Sequence, residues 1–166
     1  MNLARLFSSL LTLAVTGIAV PAALAGDGPA DGDRLETSPR HHEWVDVKAP
    51  GDRTVRAFVV YPQVSGPAPG VLIIHENRGL TDWVRGVADR LAEAGYVAMA
   101  PDLLSQTGPD GGGTASYASS DAARDGIYKL PDKQVAADLD ACFEYLRGLE
   151  ATTDRMRTPK CAMRRR

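Results

Sequence analysis

The chain is poor in cysteine, in net charge and in long apolar runs, and each shortage closes off a class of protein. Two cysteines, Cys142 and Cys161, among 166 residues do not make a disulfide framework. A formal net charge of -2 argues against a nucleic-acid-binding protein. The uncharged apolar stretch from Leu6 to Val20 is shorter than the ~20 residues a membrane-spanning helix needs. No phosphate-binding glycine loop, zinc-ligand spacing or EF-hand pattern is present. With 44% hydrophobic and 24% charged residues, the chain has the composition of one ordinary globular domain.

The low net charge hides an asymmetry. From Gly26 to Glu150 there are 12 Lys+Arg against 20 Asp+Glu, whereas Ala151 to Arg166 holds 6 against 1. The last residues therefore look foreign to the body of the chain. At the other end, Arg5 opens a short positive region, Leu6 to Val20 is mostly apolar, and Ala23-Leu-Ala25 fits a cleavage site before Gly26. This reads as a signal peptide over residues 1–25, so the mature protein is expected outside the cytoplasm, in the periplasm or beyond, and off the membrane once cleaved. Neither a twin arginine nor a cysteine after the cleavage site suggests another route.

Gly26 to Arg40 is rich in Gly, Pro and Asp and reads as a flexible lead-in, ending at about residue 41. His42 to Val47 and Thr54 to Tyr61 alternate as strands around the turn signal Pro50-Gly-Asp52, which predicts an antiparallel hairpin. Val71 to Ile74 is an unbroken apolar run and predicts a central parallel strand covered on both faces. Val84, Val87, Ala88, Leu91 and Ala94 recur at helical spacing, with Thr81 or Asp82 as cap and Gly95 as stop. Val97 to Ala100 is a second buried strand. Ser105 to Ser120 is Gly/Ser-rich and aperiodic, so a long loop is expected, of the kind that covers sites or is disordered. Pro131 opens a helix whose apolar face carries Val135, Leu139, Cys142, Phe143 and Leu146. Strands alternating with helices after a hairpin mean an α/β fold with a mixed sheet edge. The residues after Leu149 show no further apolar strand.

The polar cluster His75-Glu-Asn-Arg78 follows the Val71 strand directly, at the carboxyl end where open α/β sheets bind ligands. A carboxylate partly buried beside a thiol can hold or take its proton, which makes Glu76 a candidate for function. His75 is better read as a packing or hydrogen-bonding residue than as a base. His41 and His42, without Cys, Asp or Glu at ligand spacing, are poor evidence for a metal site. Cys142 falls on an apolar helix face and reads as a core thiol. Cys161 has neither a preceding strand nor flanking glycines, both of which a nucleophile elbow needs.

Three stretches in order, Val71-Leu-Ile-Ile-His-Glu-Asn-Arg-Gly-Leu80, Leu91-Ala-Glu-Ala-Gly-Tyr96 and Val97-Ala-Met-Ala-Pro-Asp-Leu-Leu104, resemble the dienelactone hydrolase family of α/β-hydrolases. The resemblance covers about Glu43 to Leu149, roughly the N-terminal half of a family domain. It implies an α/β-hydrolase-like fold over residues 42–150, in which an N-terminal hairpin leads into a parallel sheet flanked by helices. The C-terminal half of that fold is expected to be missing here, and residues 151–166 are expected to form a basic tail unlike the family.

The family's mechanism implies ester or lactone hydrolysis by a Cys-His-Asp set, with the cysteine on a Gly-x-Cys-x-Gly turn and no metal or organic cofactor. Carried over, Glu76 matches the glutamate that orients or activates the cysteine, and the Asn77 backbone N–H matches an oxyanion donor. Arg124 and Tyr128, in Arg-x-x-x-Tyr, resemble the pair that binds the substrate carboxylate. The cysteine, aspartate and histidine lie downstream in the family, so the chain is expected to be truncated before its nucleophile and inactive as it stands. The implied partner is a small ester or lactone, with no nucleic acid. Two other expectations remain: a noncatalytic exported α/β module that holds a small carboxylate near Arg124 and Tyr128, and a decayed gene product. The sequence Cys161-Ala-Met-Arg-Arg-Arg166 is compatible with a frame-shifted echo of a Cys-x-Gly-Gly elbow, since glycine codons read one base out of frame can become arginine codons.

Overall fold

Arg53–Val60 is the hinge of the fold, because it is hydrogen-bonded on both sides. The structure, a computed structural model, describes residues 31–153. A short helix α1 (Asp31–Thr37) is followed by the strands β1 (His42–Ala49), β2 (Arg53–Val60) and β3 (Gly70–Leu72). Helix α2 (Asp82–Glu93), strand β4 (Val97–Pro101) and helices α3 (Ser120–Ile127) and α4 (Asp132–Gly148) complete the order. The four strands lie in the order β1-β2-β4-β3, with β3 and β4 parallel and the other pairings antiparallel. The predicted signal peptide and Cys161 lie outside the described residues.

The hairpin forms as its sequence predicts. Gly51 and Asp52 both take positive φ, 76° and 60°, a conformation that glycine adopts freely and aspartate tolerates. The period of two along β2 then sorts its side chains. Val55, Ala57 and Val59 face a core built with Val97, Met99, Cys142 and Leu146 under α4. Phe58 and Val60 face a second core built with Val84, Ala88, Ala98 and Ala100 under α2. Strand β4 is buried along its whole length and lies between the two layers. Each fully buried valine or leucine here contributes about 1.5–3 kcal/mol.

Two features depart from the sequence reading. The stretch read as a flexible lead-in carries α1, whose Leu35 is buried against α2. The reason is ionic: Asp89, fully buried on α2, receives Arg40 Nε at 2.8 Å and Nη2 at 2.7 Å, with Arg34 Nε 2.7 Å away. The run Val71 to Ile74 is not a central strand among the described residues. Strand β3 ends at Leu72, sits at the edge of the sheet, and leaves Ile74 61% exposed. After α4 the described residues add no strand, as the sequence suggests, but one isolated bridge beside β3. Thr152 forms a parallel bridge to Ala68, with Ala68 N donating to Ala151 O and Thr153 N donating to Ala68 O.

Candidate active site

The site is built where β3 and β4 end together. His75, the first polar residue after β3, is buried and clamps the two strand ends. The Leu103 backbone N–H donates to its Nε2 at 3.2 Å, so that nitrogen is the bare one. Its Nδ1 then carries the hydrogen and donates to the Glu76 carbonyl at 2.7 Å. With both nitrogens engaged, His75 is a hydrogen-bonded strut rather than an available base, as its sequence context suggests.

Asp102 ties the long loop down. Its Oδ1 accepts from Leu104 N at 3.0 Å and from Thr114 Oγ1 at 2.7 Å, and its Oδ2 accepts from Thr114 N at 2.7 Å. The Thr114 hydroxyl in turn accepts from Leu80 N at 2.9 Å. The loop is therefore fastened to the turn after β3. Gly79 is required at that junction: its φ is 80°, and a Cβ there would lie 2.2 Å from Thr114 Oγ1. On the far side, Arg53 holds the base of the loop. It donates to Asp138 Oδ2 at 2.7 Å, to Ser105 O at 2.7 Å and to Leu103 O at 3.0 Å. Asp138, Arg53 and Thr114 carry no motif and were not singled out from sequence. Asp102 lay inside the quoted Pro101-Asp-Leu-Leu104 run, but nothing in the run revealed its loop-anchoring role.

Glu76 is exposed, not partly buried as the sequence reading expected, and it lines a cavity of ≈ 340 Å³ with Arg78, Trp83 and Ser120. The backbone N–H of Asn77 has no acceptor among the described residues. The Asn77 side chain reaches α3: its Nδ2 donates to the Tyr128 hydroxyl at 3.2 Å. Helix α3 itself escaped the sequence reading, although Ser119 is a conventional cap whose Oγ accepts from Ala122 N at 3.1 Å. Tyr128 caps the other end of α3, and Arg124 lies one turn before it. Arg124 Nη1 is 3.0 Å from Asp121 Oδ1 on the same helix. Glu76, Asn77 and Tyr128 are thus gathered at one end of the sheet, with Arg124 beside them on α3 and ion-paired within it.

Neither of the other titratable groups of interest belongs to this site. Cys142 is fully buried, and that burial, helped by Asp138, pushes its thiol up to about 12. Burial and the hydrogen bond to Glu43 at 2.7 Å raise the Tyr61 phenol far above its ordinary value. Among the described residues no group of His, Cys, Asp and Glu has the arrangement to hold a metal ion.

Comparison with known proteins bears on the family and the fold. The profile of the Dienelactone hydrolase family matches residues 55–157. A protein of Methylorubrum extorquens, provisionally named carboxymethylenebutenolidase, is 31% identical over 138 residues, covering 82% of this chain and 46% of that protein. A provisionally assigned hydrolase fragment, YghX, of Escherichia coli K12 is 46% identical over 68 residues, covering 40% of this chain and 58% of that protein. The chain thus spans about half the length of these curated relatives. Among solved structures, a provisionally assigned dienelactone hydrolase from Klebsiella pneumoniae aligns with a TM-score of 0.53 and 26% identity, over 66% of this chain and 45% of that one.

Proposed function

The chain belongs to the dienelactone hydrolase family, and from that premise we propose that it is the N-terminal part of a hydrolase that opens ester or lactone bonds by a Cys-His-Asp mechanism. Its own contribution is the front of the site. The Asn77 N–H, without an acceptor among the described residues, donates to the oxyanion that forms when a thiolate attacks the carbonyl. Glu76, one residue earlier, contacts the thiol and helps activate it. Arg124 and Tyr128 position a substrate carboxylate, the arginine exchanging its Asp121 partner for the ligand. The observation that carries this reading is the Asn77–Tyr128 hydrogen bond, which joins the oxyanion turn to the substrate helix.

The nucleophile is not among the described residues. Cys142 is walled into the core under α4, and a thiol held up to about 12 is not a thiolate at neutral pH. The chain by itself is therefore expected to be inactive. The test is turnover of a chromogenic ester and of a dienelactone by the purified chain. The expected result is no rate above background, with activity appearing in a longer reading frame that supplies Gly-x-Cys-x-Gly, an aspartate and a histidine. In that longer protein Glu76→Gln lowers kcat. Turnover by the chain alone that survives removal of both cysteines would sink the proposal. Saturable binding of a small carboxylate without turnover, lost in Arg124→Gln, would favour the noncatalytic module.

Export belongs to the same proposal. Supporting it are Arg5, the apolar run to Val20 and Ala23-Leu-Ala25. N-terminal sequencing of protein recovered outside the cytoplasm is expected to begin at Gly26, and an intact Met1 would contradict it.

A further inference from the structure

The hairpin face beyond α2 carries an arginine and an aspartate that form no ion pair with each other. The antiparallel register sets Asp46 directly opposite Arg56, and Trp44 opposite Phe58. An aspartate and an arginine so placed ordinarily pair. Here they do not. The Arg56 guanidinium instead lies over the Trp44 ring, 4.9 Å from its centroid, and makes no hydrogen bond or ion pair with a described residue. Arg85 also approaches that ring, at 5.7 Å, so Trp44 sits against two cations. The ring holds the cation by its π face and takes up no hydrogen-bond acceptor role, so the guanidinium donors stay available to a ligand.

Arg56 lines a cavity of ≈ 410 Å³ together with Trp44, Asp46, Asp102, Gln106 and Gly113. The cavity shares none of its lining with Glu76, Asn77, Arg124 or Tyr128. Its other polar groups can be sorted by what they already do. Asp102 has both oxygens occupied by the loop. The Gln106 Oε1 accepts from Thr54 N at 2.8 Å, so its amide NH₂ is the half left over. Among the lining residues, the Arg56 guanidinium and the Gln106 amide are side-chain donors to which no described residue offers an acceptor. The unused charged acceptor is Asp46.

We propose that this cavity binds a small monocarboxylate, held bidentately by Arg56 beside Trp44 and by the Gln106 amide. A planar carboxylate matches the planar guanidinium, and the contact with the Trp44 ring restrains the side chain in advance, which lowers the ordering cost of binding. Asp46 sets the selectivity: one negative charge is balanced by Arg56, and a second would meet the aspartate.

The test uses Trp44 fluorescence in a Trp83→Phe background, which leaves Trp44 as the sole tryptophan. Benzoate is expected to give a saturable change, benzamide none, and phthalate a weaker one than benzoate. Arg56→Gln is expected to weaken benzoate at least about tenfold, and Arg56→Lys less, because charge remains while the fork is lost. Arg124→Gln is expected to leave binding unchanged. The substitutions at Arg56 leave the backbone ladder of β2 intact, and a preserved melting transition confirms folding. The proposal is overturned if benzoate gives no saturable change, if Arg56→Gln binds as well as the parent, or if Arg124→Gln abolishes binding and thereby assigns it to α3.

Discussion

Asn77 and Tyr128, fifty-one positions apart, meet through a single hydrogen bond of 3.2 Å from the amide to the phenol. This contact docks the end of α3 onto the turn after β3. Both residues are exposed, so water competes for the bond, and removing it by Tyr128→Phe is expected to cost only about 0.5–1 kcal/mol. The effect belongs to α3 rather than to the core. Amide exchange across Ser120–Ile127 is expected to quicken while that of β2 and β4 stays as it was. Unchanged exchange in α3 would show that the contact does not hold the helix.

Asp89 holds α1 to the body of the fold. Burial alone would raise its carboxyl, but the hydrogen bonds from Arg40 and Ser38 outweigh burial and hold it below the ordinary carboxylate range. The sign follows from that depression. The stabilisation is fully present above the unfolded carboxylate value of about 4 and is lost as pH falls through the lower, folded value. Asp89→Asn removes the charge while Arg34 and Arg40 remain, and is expected to cost about 3 kcal/mol at neutral pH. Denaturant midpoints measured from pH 7 downward are expected to converge for parent and variant in acid. Parallel curves at all pH values would refute the assignment.

The hairpin, α2, β4 and α4 were legible in the sequence because each carries its own period and punctuation. Gly51 and Asp52 mark the hairpin bend, Gly95 ends α2 at φ 95°, and Val97 to Ala100 can only be a buried strand. Helix α1 was not legible, since its stability comes from Arg34 and Arg40 meeting a carboxylate nearly fifty residues or more away. The edge position of β3 was hidden for a related reason. An apolar run reports burial, whereas the pairing of its second edge depends on residues elsewhere in the chain. In the candidate site, Glu76, Asn77 and Tyr128 were named through resemblance. The Asp102–Thr114–Leu80 chain that shapes their surroundings has no local signature, because a loop aspartate looks the same whether it faces water or three hydrogen-bond donors.

Cys142 supplies a test of packing. Its thiol is fully buried and held up to about 12, first by burial and then by Asp138. In a Cys161→Ser background the folded chain is expected to resist a thiol reagent at pH 8 and to react fully once denatured. Cys142→Ser puts a polar hydroxyl in place of a buried thiol and is expected to cost about 1–3 kcal/mol. Rapid labelling of the native protein would mean that α4 opens readily, and the core under it would have to be reconsidered.

The outer edge of β3 decides how the chain behaves in solution. In a parallel ladder successive residues present their backbone groups to opposite sides. Ile73 N donates to Met99 O, toward β4, so Gly70 and Leu72 present theirs away from it. On that outer side the pairing among described residues is the bridge at Ala68, and β3 itself pairs with β4 alone. Next to this edge stands Ile74, apolar and 61% exposed. An unpaired edge flanked by an exposed β-branched residue is a template for another strand. The chain is expected to be poorly soluble and to self-associate with rising concentration in sedimentation or light scattering. Ile74→Lys places a charge beside the edge and is expected to shift the onset of association to higher concentration, with the melting temperature little changed because an exposed side chain contributes little to the fold. A clean monomer with a sharp cooperative melt in the unsubstituted chain would show that this edge is covered, and the Ala68–Thr152 bridge would be the first place to look for the cover.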